Sequence, residues 1–176
     1  VYVAAWNGFL YDQNYNLIVT DPNADTWNVD IDCIDDINTE TTALLVVHNL
    51  GNTVNVPSIQ RKHPDLVIME DAAEGIFGTY EGLSVGSKSF VSSLSFFGNK
   101  NITAGEGGAF ITDDLDVYKY IKSIQGQGQS DKRYVHEYLG YNYRMSNIHA
   151  AILYGQLMEY DNIQNKKSFV FEYYKN

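Results

Sequence analysis

Short apolar runs rich in β-branched residues alternate along this chain with stretches of helical spacing, and this alternation constrains the fold more than any other feature. Such runs are typical of buried strands, and strands that alternate with helices form βαβ units. The sequence therefore predicts one α/β domain with a mostly parallel sheet flanked by helices. The predicted strands are Tyr2–Ala5, Leu17–Thr20, Ala43–Val47, Leu66–Met69, Ser92–Phe96 and Ala109–Thr112.

The clearest predicted helix spans Ser146–Tyr160, where the Ser146 hydroxyl is placed to cap the N-terminus. Its apolar residues share one broad face, as in an amphipathic helix: Ile148, Ala151, Ile152, Gly155, Leu157 and Met158. The last eleven residues, KKSFVFEYYKN, also follow a helical pattern. Shorter helices are predicted at Ile31–Ile37, Val56–Arg61 and Leu115–Ile124, with Asp30 and either Asp113 or Asp114 as N-caps.

The charge balance limits the classes of partner. The chain has 12 Lys and Arg against 22 Asp and Glu, a net charge of −10, so it lacks the basic surface that nucleic acid requires. Its longest apolar runs, such as Ala43–Val47, are far too short to span a bilayer, so no membrane partner is expected. Cys33 is the only cysteine, which excludes an internal disulfide and favours a reducing, cytoplasmic location.

Two acidic residues, Glu70 and Asp71, directly follow the apolar strand Leu66–Met69. In open α/β sheets, ligands bind outside the carboxyl ends of the strands, so a carboxylate here can face a cationic ring or a metal ion. The small residues Ala72 and Ala73 let a bulky group approach. The same pattern fits a helix N-cap or a solvated turn, and these residues alone leave both interpretations open.

Lys100 lies in a glycine-rich segment, SFFGNKNITAGEGG (95–108), that follows a predicted strand. Glycine lets the backbone approach a ligand closely, and the strand-end Ser95 can donate its hydroxyl to a phosphate. The neighbouring Phe96 and Phe97 disfavour the ammonium form of the lysine, which frees the amine to act as a nucleophile. The alternative interpretation is an exposed surface lysine beside a loop.

The histidines have no metal-ligand spacing and no cysteine cluster accompanies them, so each is interpreted as structural or surface: His48, His63, His136 and His149. His136 precedes the loop GYNYRM and is also a candidate substrate contact. Gly126 and Gly128 make Gln125–Gln129 either a loop that closes over substrate or a plain surface loop.

Taken together, four segments resemble the DegT/StrS-type family of sugar aminotransferases, in the order found in that family. They are DPNADTWNVD (21–30), EDAAEGIFGTYEGLSVGS (70–87), SFFGNKNITAGEGGAFITDD (95–114) and GYNYRMSNIHAAI (140–152). The resemblance covers nearly the whole chain, and the joint pattern is highly specific. It implies the pyridoxal-phosphate-dependent transferase fold type I, shared with aspartate aminotransferase, and pyridoxal 5'-phosphate as the cofactor.

The resemblance also implies roles for individual residues. Lys100 matches the lysine that forms a Schiff base with the cofactor, and Asp71 matches the acid that pairs with the pyridine nitrogen. Glu74 occupies the position on the ring-hydroxyl side, where many relatives have Gln. Ser95 matches a serine that binds the cofactor phosphate, and Tyr2 falls where the family has an aromatic residue that stacks on the ring.

Asn142, in the GYN triplet, matches a residue that the neighbouring subunit extends to the cofactor phosphate, a role that Arg144 can share. The resemblance thus implies a homodimer with shared active sites. His136 and Arg144 are the candidate contacts to the substrate.

The implied reaction moves an amino group from glutamate to the C4 ketone of a nucleotide-linked 4-keto-6-deoxy sugar. One alternative is a pyridoxamine-dependent sugar dehydratase of the same fold. Those relatives have histidine in place of the Schiff-base lysine, so Lys100 argues against it. The other alternative is a truncated, catalytically silent relative that acts as an interaction module.

We expect residues 1–176 to be part of the large, cofactor-binding domain, because the first residues look like the middle of a strand rather than a secretory signal. Relatives have an N-terminal segment with a Gly-Thr-type turn before the Tyr2 strand. They also have a smaller C-terminal domain after the Ser146 helix. Neither part is present in these residues, which puts their independent activity and folding in question.

Overall fold

A computed structural model describes residues 16–29, 34, 41 and 43–175 of the chain. The strands in this part are β1 (Ala43–Val47), β2 (Val67–Asp71), β3 (Thr79–Tyr80), β4 (Leu83–Ser84), β5 (Val91–Ser95) and β6 (Gly108–Ile111). Four of them form one sheet in the order β1-β2-β5-β6, and β3 and β4 form a separate hairpin. β1 pairs with β2 and β2 with β5 in parallel, whereas β6 is antiparallel to β5. The sheet is therefore mostly parallel.

The helices of the described residues are α1 (Val56–Lys62), α2 (Leu115–Gln125), α3 (Asn147–Met158) and α4 (Tyr160–Lys175). The first three begin at a polar side chain that accepts a hydrogen bond from a backbone N–H of the first turn: Asn55, Asp114 and Ser146. Each of these bonds satisfies a backbone donor that has no partner inside the helix. Each of these three helices therefore begins directly after its capping residue.

Two apolar clusters hold these elements together. The larger one joins α1 to β1 and β2 and consists of Ile34, Val46, Val54, Val56, Ile59, Leu66 and Ile68. The smaller one surrounds Phe96 and contains Ile76 and Ala104, with Leu94, Met145 and Leu153 packed against it. The smaller cluster thus packs the segment after β5 against Met145, which precedes helix α3, and Leu153, which lies within it.

The sequence predicted most of the strands correctly. Ala43–Val47 is confirmed residue for residue, and the other three sheet strands are found within two residues of their predicted limits. The prediction of a strand at Leu17–Thr20 is wrong, because these residues have no regular structure. Leu17, Ile18 and Val19 are exposed, and a β-branched run forms a strand only where a partner strand and a packed face are available.

The helices predicted at Val56–Arg61, Leu115–Ile124 and Ser146–Tyr160 are confirmed, whereas Ile34, the one described residue of the helix predicted at Ile31–Ile37, has no regular structure. The helix predicted at Ser146–Tyr160 ends at Met158, and a second helix starts at Tyr160 after a break at Glu159. The expected strand Tyr2–Ala5 and the Asp30 cap lie outside the described residues, as does the helix Ile31–Ile37 apart from its central Ile34. Among the described helices, none has the length and apolar character needed to cross a membrane.

A buried polar pair joins the carboxyl ends of β1 and β2. The His48 Nε2 atom lies 2.8 Å from the Glu70 Oε2 atom, and both side chains are almost fully buried. The Gly86 N–H donates to the same carboxylate at 2.9 Å. Burial alone raises the pKa of Glu70, but hydrogen bonds from His48, Ser89 and Gly86 outweigh it and hold this pKa below its ordinary value. Glu70 is therefore a buried carboxylate anion that ties three chain segments together.

The hydrogen bonds of His48 define its protonation. The Val54 N–H donates to the Nδ1 atom at 3.0 Å, so Nδ1 acts as the acceptor and Nε2 carries the proton that is donated to Glu70. A Cβ atom at position 75 would lie 2.6 Å from the His48 Cβ, which explains why glycine stands there. Glu70 therefore faces the interior and not a ligand, which for this residue decides between the interpretations that the sequence left open.

The Glu70→Gln variant is expected to lose about 1–3 kcal/mol of unfolding free energy at neutral pH, because the buried donors lose their charged acceptor. The folded-state pKa of Glu70 is depressed, so the carboxylate stabilises the protein above pH 4.5, its ordinary value, and this contribution disappears as the pH falls through the folded pKa. Urea unfolding at several pH values should therefore show the difference between wild type and variant shrinking in acid.

Glu81→Gln is the matched control. The hydrogen bond from Arg61 also lowers the pKa of Glu81, but this pair is exposed, so its loss should have little effect on stability. Equal effects of the two substitutions at every pH would contradict a stabilising buried anion at position 70.

Candidate active site

The parallel pairing of β2 with β5 brings two candidate side chains to one edge of the sheet. Asp71 is the last residue of β2 and lies beside Ser93, and Ser95 is the last residue of β5. Side chains alternate between the faces of a strand, so Asp71, Ser93 and Ser95 share one face. Gly108 pairs with Ser95 on the other side and adds no side chain there. A ligand at this edge meets a carboxylate and a hydroxyl together.

Lys100 lies in the loop that leaves this edge after Ser95. The Lys100 N–H donates to the Phe97 carbonyl at 3.0 Å, and the N–H of Ala104 donates to the Phe96 carbonyl at 2.9 Å. Phe96, Ile102 and Ala104 are buried on either side of the lysine. The loop is therefore anchored by its apolar residues and its own hydrogen bonds, which fixes the backbone at Lys100.

Residues from distant parts of the chain also hold this loop. The Lys167 Nζ atom of helix α4 donates to the Asn101 Oδ1 atom at 2.7 Å. Gly107 has a φ of +127° and packs so tightly that a Cβ atom there would lie 2.8 Å from the Met145 Cε atom. Glycine is needed at this position both for the backbone conformation and for the close contact.

The Lys100 side chain points back toward the end of β2. Its Nζ atom lies 3.4 Å from the Glu74 Oε1 atom, and the two side chains are only 12% and 20% exposed. The other Glu74 oxygen, Oε2, accepts a hydrogen bond from the Leu50 N–H at 2.8 Å. Lys100 is therefore not the exposed lysine of the alternative interpretation.

Asp71 and Ser95 each keep hydrogen-bonding capacity for a ligand. The Asp71 Oδ1 atom accepts from the Ala73 N–H at 3.1 Å, and Oδ2 has no hydrogen bond to any described residue. The Ser95 Oγ atom accepts from the Phe97 N–H at 3.3 Å, so its hydroxyl hydrogen can still be donated. With the Lys100 amine, these groups suit a phosphorylated aromatic aldehyde whose ring nitrogen is protonated.

The structure does not link the remaining candidate residues to this group by hydrogen bonds between described residues. Asn142, Arg144 and His136 are exposed, and no hydrogen bond between described residues links Asn142 or Arg144 to Asp71 or Ser95. His136 donates through Nδ1 to the Gln127 carbonyl at 2.9 Å. Tyr2 lies outside the described residues. The strand edge thus brings together Asp71, Glu74, Ser95 and Lys100.

The loop at Gln125–Gln129 is held closely to the segment that contains His136. The Gln127 N–H donates to the Tyr141 carbonyl at 2.9 Å, and the Gly128 carbonyl accepts from the Glu137 N–H at 2.8 Å. A Cβ atom at Gly128 would overlap the Tyr138 carbonyl. These contacts fix the loop against its neighbour, so its glycines serve close backbone packing.

Sequence reasoning missed two groups that support the site, the His48 side chain and the Leu50 peptide. His48 follows β1 just as the acidic residues end β2, and this position at the same edge of a parallel sheet was the available signal. A backbone N–H has no sequence signature of its own. Within the described residues, no group of three or more His, Cys, Asp and Glu side chains is arranged to bind a metal ion.

Comparisons with known proteins agree with this arrangement. The sequence profile of the DegT/DnrJ/EryC1/StrS aminotransferase family matches residues 2–176. The GDP-perosamine synthase of Escherichia coli O157:H7 is 36% identical over 178 residues, which cover 99% of this chain and 49% of that protein. This chain spans about half the length of the curated relatives it matches.

Two solved structures superpose on this chain. DesV of S. venezuelae has a TM-score of 0.80 at 29% identity, over 92% of this chain and 44% of that chain. The E. coli GDP-4-keto-6-deoxy-D-mannose-3-dehydratase with bound hydrated PLP has a TM-score of 0.74 at 26% identity, over 80% and 42%. The chain belongs to the DegT/DnrJ/EryC1/StrS aminotransferase family and has the α/β fold of its pyridoxal-phosphate-dependent enzymes.

Proposed function

We propose that the intact protein is a pyridoxal-phosphate-dependent aminotransferase that moves an amino group from glutamate to the C4 ketone of a nucleotide-linked 4-keto-6-deoxy sugar. The observation that carries the proposal is a largely buried lysine, Lys100, beside the edge where Asp71 and Ser95 end neighbouring parallel strands. The similarity to GDP-perosamine synthases supports the choice of sugar class.

In this proposal the described residues bind three parts of the cofactor. Lys100 would bond covalently to its aldehyde carbon with release of water, Asp71 would accept a hydrogen bond from the protonated ring nitrogen, and the Ser95 hydroxyl would donate to its phosphate. Glu74 lies on the side of the ring hydroxyl. Tyr2 is proposed to stack on the ring. The free Asp71 oxygen and the available Ser95 hydroxyl hydrogen match these tasks.

When bound, pyridoxal phosphate supplies an electron sink that stabilises negative charge at the carbon that loses its proton. The protein's share of the chemistry is to hold and move protons. Asp71 keeps the ring nitrogen protonated, because a carboxylate favours the cationic form of a neighbouring base. The Lys100 amine, once released by the amino donor, carries the proton between the substrate carbon and the cofactor as a general base and acid.

A sugar dehydratase of the same fold is the second candidate, since one such enzyme superposes on this chain. The presence of Lys100 rather than a histidine favours the aminotransferase. A catalytically silent interaction module is the third candidate. The largely buried lysine and the polar groups at one sheet edge favour an active enzyme over a silent one, because convergent polar groups are typical of ligand-binding sites.

We further propose that the intact protein is a homodimer in the cytoplasm, with active sites shared between subunits. Asn142 and Arg144 are exposed and make no hydrogen bond to Asp71 or Ser95 among the described residues, which leaves their side chains available to a neighbouring site. In this arrangement Asn142 reaches the cofactor phosphate of the other subunit. His136 and Arg144 contact the sugar nucleotide.

Replacing Lys100 by alanine in the full-length enzyme should abolish transamination, because neither covalent attachment nor proton transfer remains. Amine formation should be followed by mass spectrometry with a panel of 4-keto sugar nucleotides and glutamate. We expect the rate of amine formation to fall by a factor of about 10³ or more. Lys119→Ala, an exposed lysine on α2, is the control and should retain wild-type turnover. Normal turnover by the Lys100→Ala enzyme would rule out the proposed function.

The shared site is tested by mixing two inactive variants, Lys100→Ala and Asn142→Asp. After subunit exchange, each mixed dimer contains one site with both intact residues and one site with both defects. Random exchange should restore about one quarter of the wild-type activity, because half of the dimers are mixed and each has one working site. No recovery, despite mixed dimers detected by mass, would show that Asn142 serves its own subunit.

A further inference from the structure

We infer that Glu74 is a charge partner of the Lys100 nitrogen and keeps it protonated while it is linked to the cofactor, and that the Leu50 peptide positions the Glu74 carboxylate. This inference rests on the proposed function insofar as Lys100 holds the cofactor. It goes further by assigning a task to the negative charge at position 74. The geometry that carries it is the contact of 3.4 Å between Lys100 Nζ and Glu74 Oε1.

The burial of this pair gives the charge its effect. Both side chains are mostly shielded from solvent, where an ionic contact is screened far less than at an open surface. A neutral amide at position 74 has one oxygen, so it could accept from the Leu50 N–H or face the lysine, but not both as the two carboxylate oxygens do. It would also carry no negative charge. Glu74 therefore differs from an amide of the same shape in its charge and in its second acceptor oxygen.

The Leu50 backbone is strained in a way that serves this contact. Leu50 has a φ of +53°, a conformation that residues with a side chain rarely adopt, and its side chain is 70% exposed. An exposed leucine gains little from packing, so the conformation is not explained by burial of the side chain. It does place the Leu50 N–H 2.8 Å from the Glu74 Oε2 atom. Strain retained at such a position is typical of functional sites.

The turn that contains Leu50 is fixed on both sides. Just before Leu50, the Asn49 N–H donates to the Oδ1 atom of the buried Asn28 at 2.9 Å. His48 comes directly before Asn49. Its ring is fixed by two hydrogen bonds, one from Nε2 to the Glu70 carboxylate and one from the Val54 N–H to Nδ1. The buried pair at the strand ends thus supports the turn, the turn positions Glu74, and Glu74 contacts Lys100.

The consequence concerns the protonation of the Lys100 nitrogen. A carboxylate within about 4–6 Å favours the protonated form of a nitrogen, and in this inference that holds for the Lys100 nitrogen when it is linked to the cofactor. A protonated linkage makes the attached carbon more electrophilic toward an amino donor. Glu74 therefore prepares the site for the amino donor.

The experiment uses the full-length enzyme loaded with pyridoxal phosphate. The visible absorption band of the lysine-linked cofactor is titrated with pH, and its midpoint reports deprotonation of the linking nitrogen. In Glu74→Gln the midpoint should move to lower pH by about one unit, because the protonated form loses its negative neighbour. Glu74→Asp retains the charge and should remain closer to wild type. Glu106→Gln removes an exposed charge from the Lys100 loop and should leave the midpoint unchanged.

Only protein that has bound the cofactor contributes to the band, so a partly unfolded variant still reports its midpoint. An unchanged midpoint in Glu74→Gln overturns the inference, and so does an equal shift in Glu74→Asp, which would indicate an effect of shape. Failure of the proposed function has a different signature. The wild type would then show no such band, or the band would persist in Lys100→Ala.

Discussion

The parallel pairing of β2 with β5 is the constraint on which the rest of the site depends. Its register places Asp71 beside Ser93 and brings the ends of both strands to one edge of the sheet. The loop after β5 then carries Lys100 back toward the residues that follow β2, where it meets Glu74. A slip of one residue in this pairing would turn Asp71 to the opposite face from Ser95 and separate the carboxylate from the hydroxyl.

Two adjacent acids at the end of β2 have opposite environments, because side chains alternate along a strand. Glu70 points into the interior, where hydrogen bonds with His48 and Gly86 keep it an anion. Asp71 points to the other face and keeps an oxygen available for a ligand. The buried pair stabilises the strand ends and the turn at Leu50. The edge of the sheet carries the carboxylate and the hydroxyl that are available to a ligand. Stability and function are thus divided between neighbouring residues.

The sequence allowed much of this arrangement to be predicted. Local signals were sufficient for the strand Ala43–Val47, for the Ser146 cap and for the glycine-rich loop that contains Lys100, and they limited the cap of α2 to Asp113 or Asp114. The prediction at Leu17–Thr20 was wrong because a strand also requires a partner, which a local apolar run does not reveal.

Other features depend on contacts between distant residues. The hydrogen bond of His48 with Glu70 spans 22 positions, and the contact of Lys100 with Glu74 spans 26. The Leu50 contribution comes from a backbone N–H and a positive φ, which no residue type signals. The short hairpin of β3 and β4 was missed because its strands are two residues long, below the length at which alternation can be recognised.

Peptide mapping would show whether Lys100 carries the cofactor. The full-length protein is incubated with pyridoxal phosphate, the linkage is reduced with borohydride, and the digested peptides are analysed by mass spectrometry. We expect a phosphopyridoxyl group on the peptide that contains Lys100 and none on the peptide that contains Lys88. Modification of another lysine instead, or of none, would contradict it.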